Sequence, residues 1–492
     1  MRISVQIGRG QDLGQNFGSL FEAPTADGTA VLGGGFQGLY NTFHRTDRHV
    51  VQFFIRPTSG EADFSTKPLP RPTRIAGTYL FDLDGTVYSS SEDVKSWDES
   101  GRMWKADAGD ARGRMRLGSG LLTFDGGSAE YDGGCLLSPP DRGDYQRFFY
   151  AHGHLFFYHT FWADRTGYRL HTTDDEGFSK LYACPWTPAD EGGIDLGRAW
   201  VITLPCVGEV PFSYGQLGGE VLTCSNIGGV YVFDERSWRM AVEPEIGTSY
   251  QVYSMLNYYD RLLLGQYPTG QLFEYAGEEV TLIEGWPPRM AGVSSSAREA
   301  QTTAIYGGNL YVGVWPWGEL WRYSSDAGRW AFMRRMFSHP PVTDETTHPY
   351  ENECAALGIV LNQWGQRVTS LVPMGDSLFI STSAKSPTEW EPAYDFVGEG
   401  RWMEYGTVHR LTVPGSLSVP LRWTDGPTQL DFVLDGRTMA IVQDGDELAS
   451  VIPDASLTSG INAGLKAGEV TWGRGIFGDF GGVTLDGRVE GS

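Results

Sequence analysis

Apolar and polar residues alternate in short runs along most of this chain, and glycine punctuates the runs. The clearest case is 309–330, NLYVGVWPWGELWRYSSDAGRW. A period of two predicts a strand over LYVGV, a tight connection at WPWG, a second strand over ELWRY, a turn at SSDAG and a third strand from Trp330. The segment 262–275, LLLGQYPTGQLFEY, aligns without a gap with 310–323, LYVGVWPWGELWRY. Gly265 falls on Gly313, Pro268 on Pro316, Gly270 on Gly318 and Tyr275 on Tyr323. Self-similarity carried by short strands at a period of about 40 to 50 residues predicts a β-propeller.

The same pattern occurs at 30–40 (AVLGGGFQGLY), 79–88 (YLFDLDGTVY), 155–170 (LFFYHTFWADRTGYRL) and 221–233 (VLTCSNIGGVYVF). It occurs once more in split form, with LFIST at 378–382 answered by GTVHRL at 406–411. The expected fold is therefore all-β, a propeller of seven blades, or five or six if an outer unit is not a blade. Apolar runs upstream of the hairpins, such as TTAIY at 302–306 and VTSLV at 368–372, are the expected innermost strands. Two segments break the repeat. One is 99–144, with its own hairpin signal LLTFDGGSAEY. The other is 337–366, with a short helix expected over 350–357 that stops at Gly358. Beyond Pro420 the pattern changes, with hairpin turns at Asp435-Gly436 and Asp444-Gly445. The predicted organisation is a propeller over 1–419, with insertions near 99–144 and 337–366, and a β-rich C-terminal module or outer layer over 420–492.

Composition agrees with many turns and many aromatic strands: 65 Gly, 26 Pro and 13% aromatic residues in 492. The net charge of −23 argues against a nucleic-acid partner, whose phosphates need clustered Lys and Arg. No window of about 18 apolar residues is present, so no membrane span is expected. The start MRISVQIGRG lacks the apolar core of an export signal, so secretion or a periplasmic location would require a leader already removed. The five cysteines, Cys135, Cys184, Cys206, Cys224 and Cys354, follow no framework spacing and are expected to be mainly buried thiols.

The turn Ser324-Ser325-Asp326-Ala327-Gly328-Arg329-Trp330 resembles the Asp box, S-x-D-x-G-x-T-W, of sialidase-like propellers with bacterial neuraminidase repeats, one residue short before the Trp. Thr173, Asp175, Gly177 and Ser179 resemble it too, as do Ser90, Ser96 and Trp97. The resemblance implies a propeller in which the Asp caps turn amides and the Trp packs between blades; the box is structural and not catalytic. The nucleophilic Tyr/Glu pair of that family has no match here.

In a propeller, the residues that lead into the innermost strands and the loops between second and third strands meet on one axial face. The leading positions hold Arg74, Arg147, Tyr214, Tyr250, Gln251, Arg298, Glu299, Gln301, Trp364 and Arg367. The loops hold Asp82, Asp84, His159, Trp162, Asn226, Tyr267, Trp315, Trp317 and Lys385. Aromatic faces beside planar donors suit a sugar. Of Trp315 and Trp317, adjacent in one connection, at least one is expected to be exposed and near a bound sugar.

Glycoside hydrolysis needs two carboxyls. Glu299 is the first candidate acid, with Asp82, Asp84, Glu22 and Glu209 as partners. A polysaccharide lyase would instead use His159, Tyr214 or Tyr250 with Arg298 or Arg367 on a uronate. No metal or other cofactor is required by these readings, although the Asp-Gly turns would suit a structural Ca²⁺. His152 and His154 share a strand face without a third ligand nearby; His339, Asp344, His348, Glu351 and Glu353 form a second cluster. The expected function is a carbohydrate-active enzyme, a glycoside hydrolase acting on a poly- or oligosaccharide. A lyase and a non-catalytic glycan- or protein-binding propeller are the alternatives.

Overall fold

The computed structural model describes residues 1–8, 17–37, 50–107, 114–161, 177–422, 426–436, 438–453, 457, 461, 464–475, 479–485 and 488–489. Seven four-stranded antiparallel sheets follow one another along it. Their first strands are Tyr79–Leu83, Arg114–Leu117, Asp144–Ala151, Pro211–Leu217, Gln251–Tyr258, Glu299–Tyr306 and Arg367–Met374. The first strand of the second sheet touches that of the first, those of the third to seventh touch in turn, and that of the seventh returns onto that of the first. The second and third sheets share a core in which Met115 and Leu117 meet Tyr145, Phe148 and Tyr150. The result is a seven-bladed β-propeller, its blades numbered 1 to 7 in the order just given. The runs at 302–306 and 368–372 are innermost, as their continuous apolar character requires of strands buried on both faces.

Blades 1 to 6 each use four consecutive strands. Blade 7 takes three, Arg367–Met374, Ser377–Ser383 and Val408–Thr412, and borrows its outermost strand, Ser65–Pro68, from the other end of the chain. Leu411 pairs with Thr66 and His409 with Pro68. This pairing closes the ring.

The count of seven was expected, but its members differ. The unit at 30–40 is not a blade. The segment 99–144, read as an elaboration, contains blade 2: Arg114–Leu117, Gly120–Asp125, Ser128–Tyr131 and Gly134–Leu137. Its strands are four to six residues long. Runs this short carry too few alternations to register as a repeat.

The boundary expected at 419/420 does not separate the sheets. Strands from 1–57 and from 416–489 interleave in two further sheets. One has the order Ser416–Pro420, Val50–Pro57, Ala30–Gln37, Phe17–Pro24, Thr471–Arg474. The other runs Asp446–Val451, Thr438–Gln443, Thr428–Asp435, Arg2–Gly8, Asp479–Leu485, Arg488–Val489. Their inner faces share one core, where Phe21 and Phe53 meet Phe432 with ring centroids 5.0 and 5.4 Å apart. The glycine run in Ala30–Gln37 follows from this packing: a Cβ on Gly34 would lie 2.4 Å from the Phe21 ring and 2.9 Å from that of Phe432. The turns at Asp435-Gly436 and Asp444-Gly445 join the expected hairpins. The helix Glu351–Leu357 stops at Gly358, in the left-handed region at φ 65°. All five cysteines are free thiols, four of them buried.

A buried arginine fastens this sandwich to the propeller. Arg56 pairs with Glu22 at 3.1 Å and, through Nε and Nη2, with both carboxylate oxygens of Asp326 at 2.5 and 3.0 Å. It also donates to the Gly308 carbonyl, while Tyr259 donates to Glu22 at 2.6 Å. Two corrections follow. Asp326, expected to cap amides of its own turn, is turned toward Arg56. Glu22, a candidate catalytic carboxylate, belongs to the sandwich and is committed to the same ion pair. Trp330 does pack between blades, with Trp286 at 5.4 Å. The similar turn at 173–176 lies outside the described residues.

Removing one partner of a largely buried ion pair strands the others. Arg56→Ala is expected to cost about 3 kcal/mol, read as a lowered urea midpoint. An unchanged midpoint would show that sandwich and propeller dock without it.

Candidate functional site

The loops between second and third strands do reach the leading end of the next blade, and the reason is backbone hydrogen bonding. Parallel bridges join Ile227 to Tyr250, Thr269 to Arg298 and Trp317 to Gln366, and an antiparallel bridge joins Gly77 to Ser383. The amides of Arg298 and Gln366 each donate, at 2.8 Å, to the proline carbonyls of YPTG and WPWG. These connections are staples between blades.

That role buries the tryptophans expected to meet ligand. Trp315 and Trp317 are 2% and 1% exposed. Trp315 is covered by the His348 ring at 5.0 Å and by Gly365, where a Cβ would lie 2.2 Å from the indole nitrogen. Trp317 lies under the Arg335 guanidinium. Both positions look exposed in sequence because the covering segment, 337–366, is a separate insertion. Trp364 is also core, against Tyr394 and Tyr405.

Other candidates are placed away from the axis. Asp84 sits at φ 50° in the turn between the first two strands of blade 1, at the opposite end from the leading residues, and pairs with Arg116. Asp82 is buried near that end. The run 79–88 is the inner hairpin of its blade, whereas the repeat elsewhere marks second and third strands. Arg298 is neutralised by buried Glu319 at 3.1 Å, which also accepts from Trp321 Nε1 at 2.7 Å. Arg74 is solvent-exposed beside Glu92. Glu209 is buried and accepts from Tyr231. Tyr250 is exposed beside Gly228, and Tyr267 packs on Trp315. His159 donates through Nε2 to the Arg142 carbonyl, 2.8 Å away, and burial pushes its pKa below the ordinary value. It lines a cleft of about 640 Å³ at the blade 2–3 junction with Pro139, Arg142, Tyr145 and Phe178. Trp162 lies outside the described residues. His154 Nδ1 contacts the His152 carbonyl at 2.7 Å, and no group of three or more metal-ligating side chains occurs among the described residues.

What converges is a smaller set, and β-bulges bring it together. In five consecutive blades, 3 to 7, the pairing of the first two strands slips near the leading end, at Arg147-Phe148, Phe212, Tyr253, Gln301 and Thr369. A bulge re-aims a side chain that strict alternation would send into a blade interface. Glu299, in blade 6, lies 3.8 Å from Arg367, in blade 7. Tyr79, in blade 1, hydrogen-bonds Arg367. Tyr253, in blade 5, is within electrostatic reach of both Arg367 and Arg147, which lie two blades away on either side. Electrostatic influence across that many blades runs over the central axis.

The electrostatics of the cluster follow from burial. Glu299 is 2% exposed, and Oε1 has no hydrogen-bond partner among the described residues. Desolvation pushes its pKa up to about 7, against the pull of Arg367 and Lys385. For Arg367 burial opposes the charge, but Glu299, Tyr79 and Tyr253 more than offset it and the pKa ends above the ordinary value. For Lys385 burial and the Arg367 charge win, and its pKa falls. The site thus holds Arg367 and Lys385 against one carboxyl that is partly protonated near neutrality. Its sequence-predicted members are Glu299, Arg147, Arg367, Gln301 and Lys385. Phe212 and Tyr253 give no sequence signal because a bulge has no period, and Tyr79 opens a regularly paired strand in a hairpin one strand out of phase with the repeat.

No known family model and no curated protein matches the chain. Among solved structures it is similar to a computationally designed protein, Ika8, at 12% identity, covering 82% of this chain and 100% of that one with a TM-score of 0.37. It is also similar to BamB from Moraxella catarrhalis, at 10% identity, 80% and 93% coverage and a TM-score of 0.33. A prolyl endopeptidase structure matches at 10% identity, 86% and 56% coverage and a TM-score of 0.29. Identities this low say nothing of function. No helix among the described residues is long and apolar enough to cross a membrane, which leaves strand-built spans unaddressed.

Because the folded-state pKa of Glu299 lies above the ordinary value of 4.5, the fold favours its protonated form. The associated stability is fully present below about pH 4.5 and is lost as pH rises through 7. Glu299→Gln removes this contribution, so the drop in Tm between pH 5 and pH 8 is expected to be smaller in the variant. Parallel profiles would mean that Glu299 titrates in the ordinary carboxylate range.

Proposed function

We propose that the axial face binds a uronate-bearing poly- or oligosaccharide and cleaves it by β-elimination. The observation that carries this reading is the pairing of Arg367 and Lys385 with a single carboxyl, Glu299, in a chain of net charge −23. Local positive character at one point of an acidic molecule marks a place for an anion. A guanidinium is the planar fork that pairs with a carboxylate.

The two-carboxyl requirement of glycoside hydrolysis finds less support. Of the four expected partners of Glu299, Glu22 is engaged with Arg56, Asp84 with Arg116 and Glu209 with Tyr231, and Asp82 lies near the opposite end of blade 1. Elimination needs a different set. Arg367 would hold the uronate carboxylate and stabilise charge developing on it. Tyr253, in its phenolate form, would take the proton from C5. The C4=C5 bond forms as the C4–O4 bond breaks, and the leaving O4 takes the proton carried by Glu299. A carboxyl with a pKa of about 7 is suited to that last step.

The test is incubation with a panel of acidic and neutral polysaccharides, following both ultraviolet absorbance of an unsaturated uronate and new reducing ends. Absorbance and reducing ends are expected to rise together on an acidic substrate. Arg367→Ala should lower kcat/KM by about 100-fold or more. Reducing ends without absorbance would favour hydrolysis. Binding with neither signal would leave a glycan-binding propeller.

A further inference from the structure

The cluster has a second cationic pole. Arg147 stands on the innermost strand of blade 3, within the bulge between Gln146 and Phe149, at a φ of 57°. A left-handed backbone is costly for any residue with a Cβ, and glycine would avoid the cost. Such strain on a regular inner strand points to a side chain whose direction matters. The direction is inward: the guanidinium lies 5.8 Å from the Phe212 ring centre and within reach of Tyr214, Tyr158 and Tyr253.

From Arg147 the side chains form a continuous path across the axis. Phe212 meets Tyr253 edge-on, with centroids 5.3 Å apart. Tyr253 donates to Gln251 Oε1 at 2.5 Å, which fixes its ring. Beyond Tyr253 stand Arg367, Glu299 and Lys385. Three of the path's members, Arg147, Phe212 and Tyr253, are bulge residues of consecutive blades. A pair of rings between two guanidinium groups matches a ligand with anionic groups at both ends of a flat, C–H-bearing sugar face.

We infer that the axial site takes an oligouronate through two carboxylates, one on Arg367 and one on Arg147, with a sugar ring over Tyr253 and Phe212 between them. A monosaccharide acid fills only one pole. This inference rests on the uronate reading of the site and adds to it the length and charge spacing of the ligand.

The test is calorimetric titration of the full chain at pH 7 and low salt with galacturonate, trigalacturonate, glucuronate and a hyaluronan hexasaccharide. At least one oligomer is expected to bind about 100-fold more tightly than its monomer. Arg147→Gly suits the left-handed backbone, so its Tm should not fall. It should weaken oligomer binding tenfold or more and monomer binding by a much smaller factor. Arg367→Ala should weaken both. Equal binding of monomer and oligomer by the wild type overturns the two-pole site, as does an unchanged oligomer affinity in Arg147→Gly. If Arg147→Gly is silent while Arg367→Ala weakens binding, only the second pole fails. If Arg367→Ala is silent, or none of the four probes binds, the uronate reading fails with it.

Discussion

The axial cluster exists only while the ring is closed, and the ring is closed by four residues. Ser65–Pro68 supplies the outer strand of blade 7 by pairing with Val408–Thr412. Without it the blade would present an open edge, and the two ends of the ring would be held by side-chain packing and the short backbone bridge of Gly77 to Ser383. The chain on either side of this joint runs into the sandwich, whose sheets alternate strands from before residue 58 and after residue 415. Closure and sandwich assembly are therefore one structural event. Arg56 extends the constraint to the blade 5 and blade 6 turns through Glu22, Tyr259 and Asp326.

Within the closed ring, two backbone devices divide the work. Staples between a loop and the next blade, such as Thr269 to Arg298 and Trp317 to Gln366, fix the rotation of each blade and bury bulky side chains. Bulges in blades 3 to 7 release single side chains from the blade interfaces and send them toward the axis. The first device removed Trp315, Trp317 and Arg298 from consideration as ligand contacts. The second brought Arg147, Phe212 and Tyr253 into it. Function in this fold depends on where register slips as much as on which residues are present.

The all-β repeat was legible in the sequence because LYVGVWPWGELWRY and its relatives carry long alternating strands. Blade 2 was not, since its strands are too short to show a period. The unit at 30–40 has the same local pattern as a blade; only the pairing of its neighbours, Phe17–Pro24 and Val50–Pro57, with Thr471–Arg474 and Ser416–Pro420, together with the Phe21 and Phe432 rings against Gly34, makes it part of a sandwich. At the site, Glu299 and Arg367 were recognisable because they precede inner strands with a clear apolar run. Tyr253 was hidden one residue into such a run. Trp315 looked like a ligand contact because nothing local reveals that 337–366 folds back over it.

The most direct test of the central claim is a crystal structure of the full chain, carrying Glu299→Gln to prevent turnover, soaked with trigalacturonate. The expected result is density over the axis with one carboxylate on the Arg367 guanidinium. Density confined to the blade 2–3 cleft beside Arg142 and His159, or an empty axis in a crystal whose axial face is open to solvent, would contradict it.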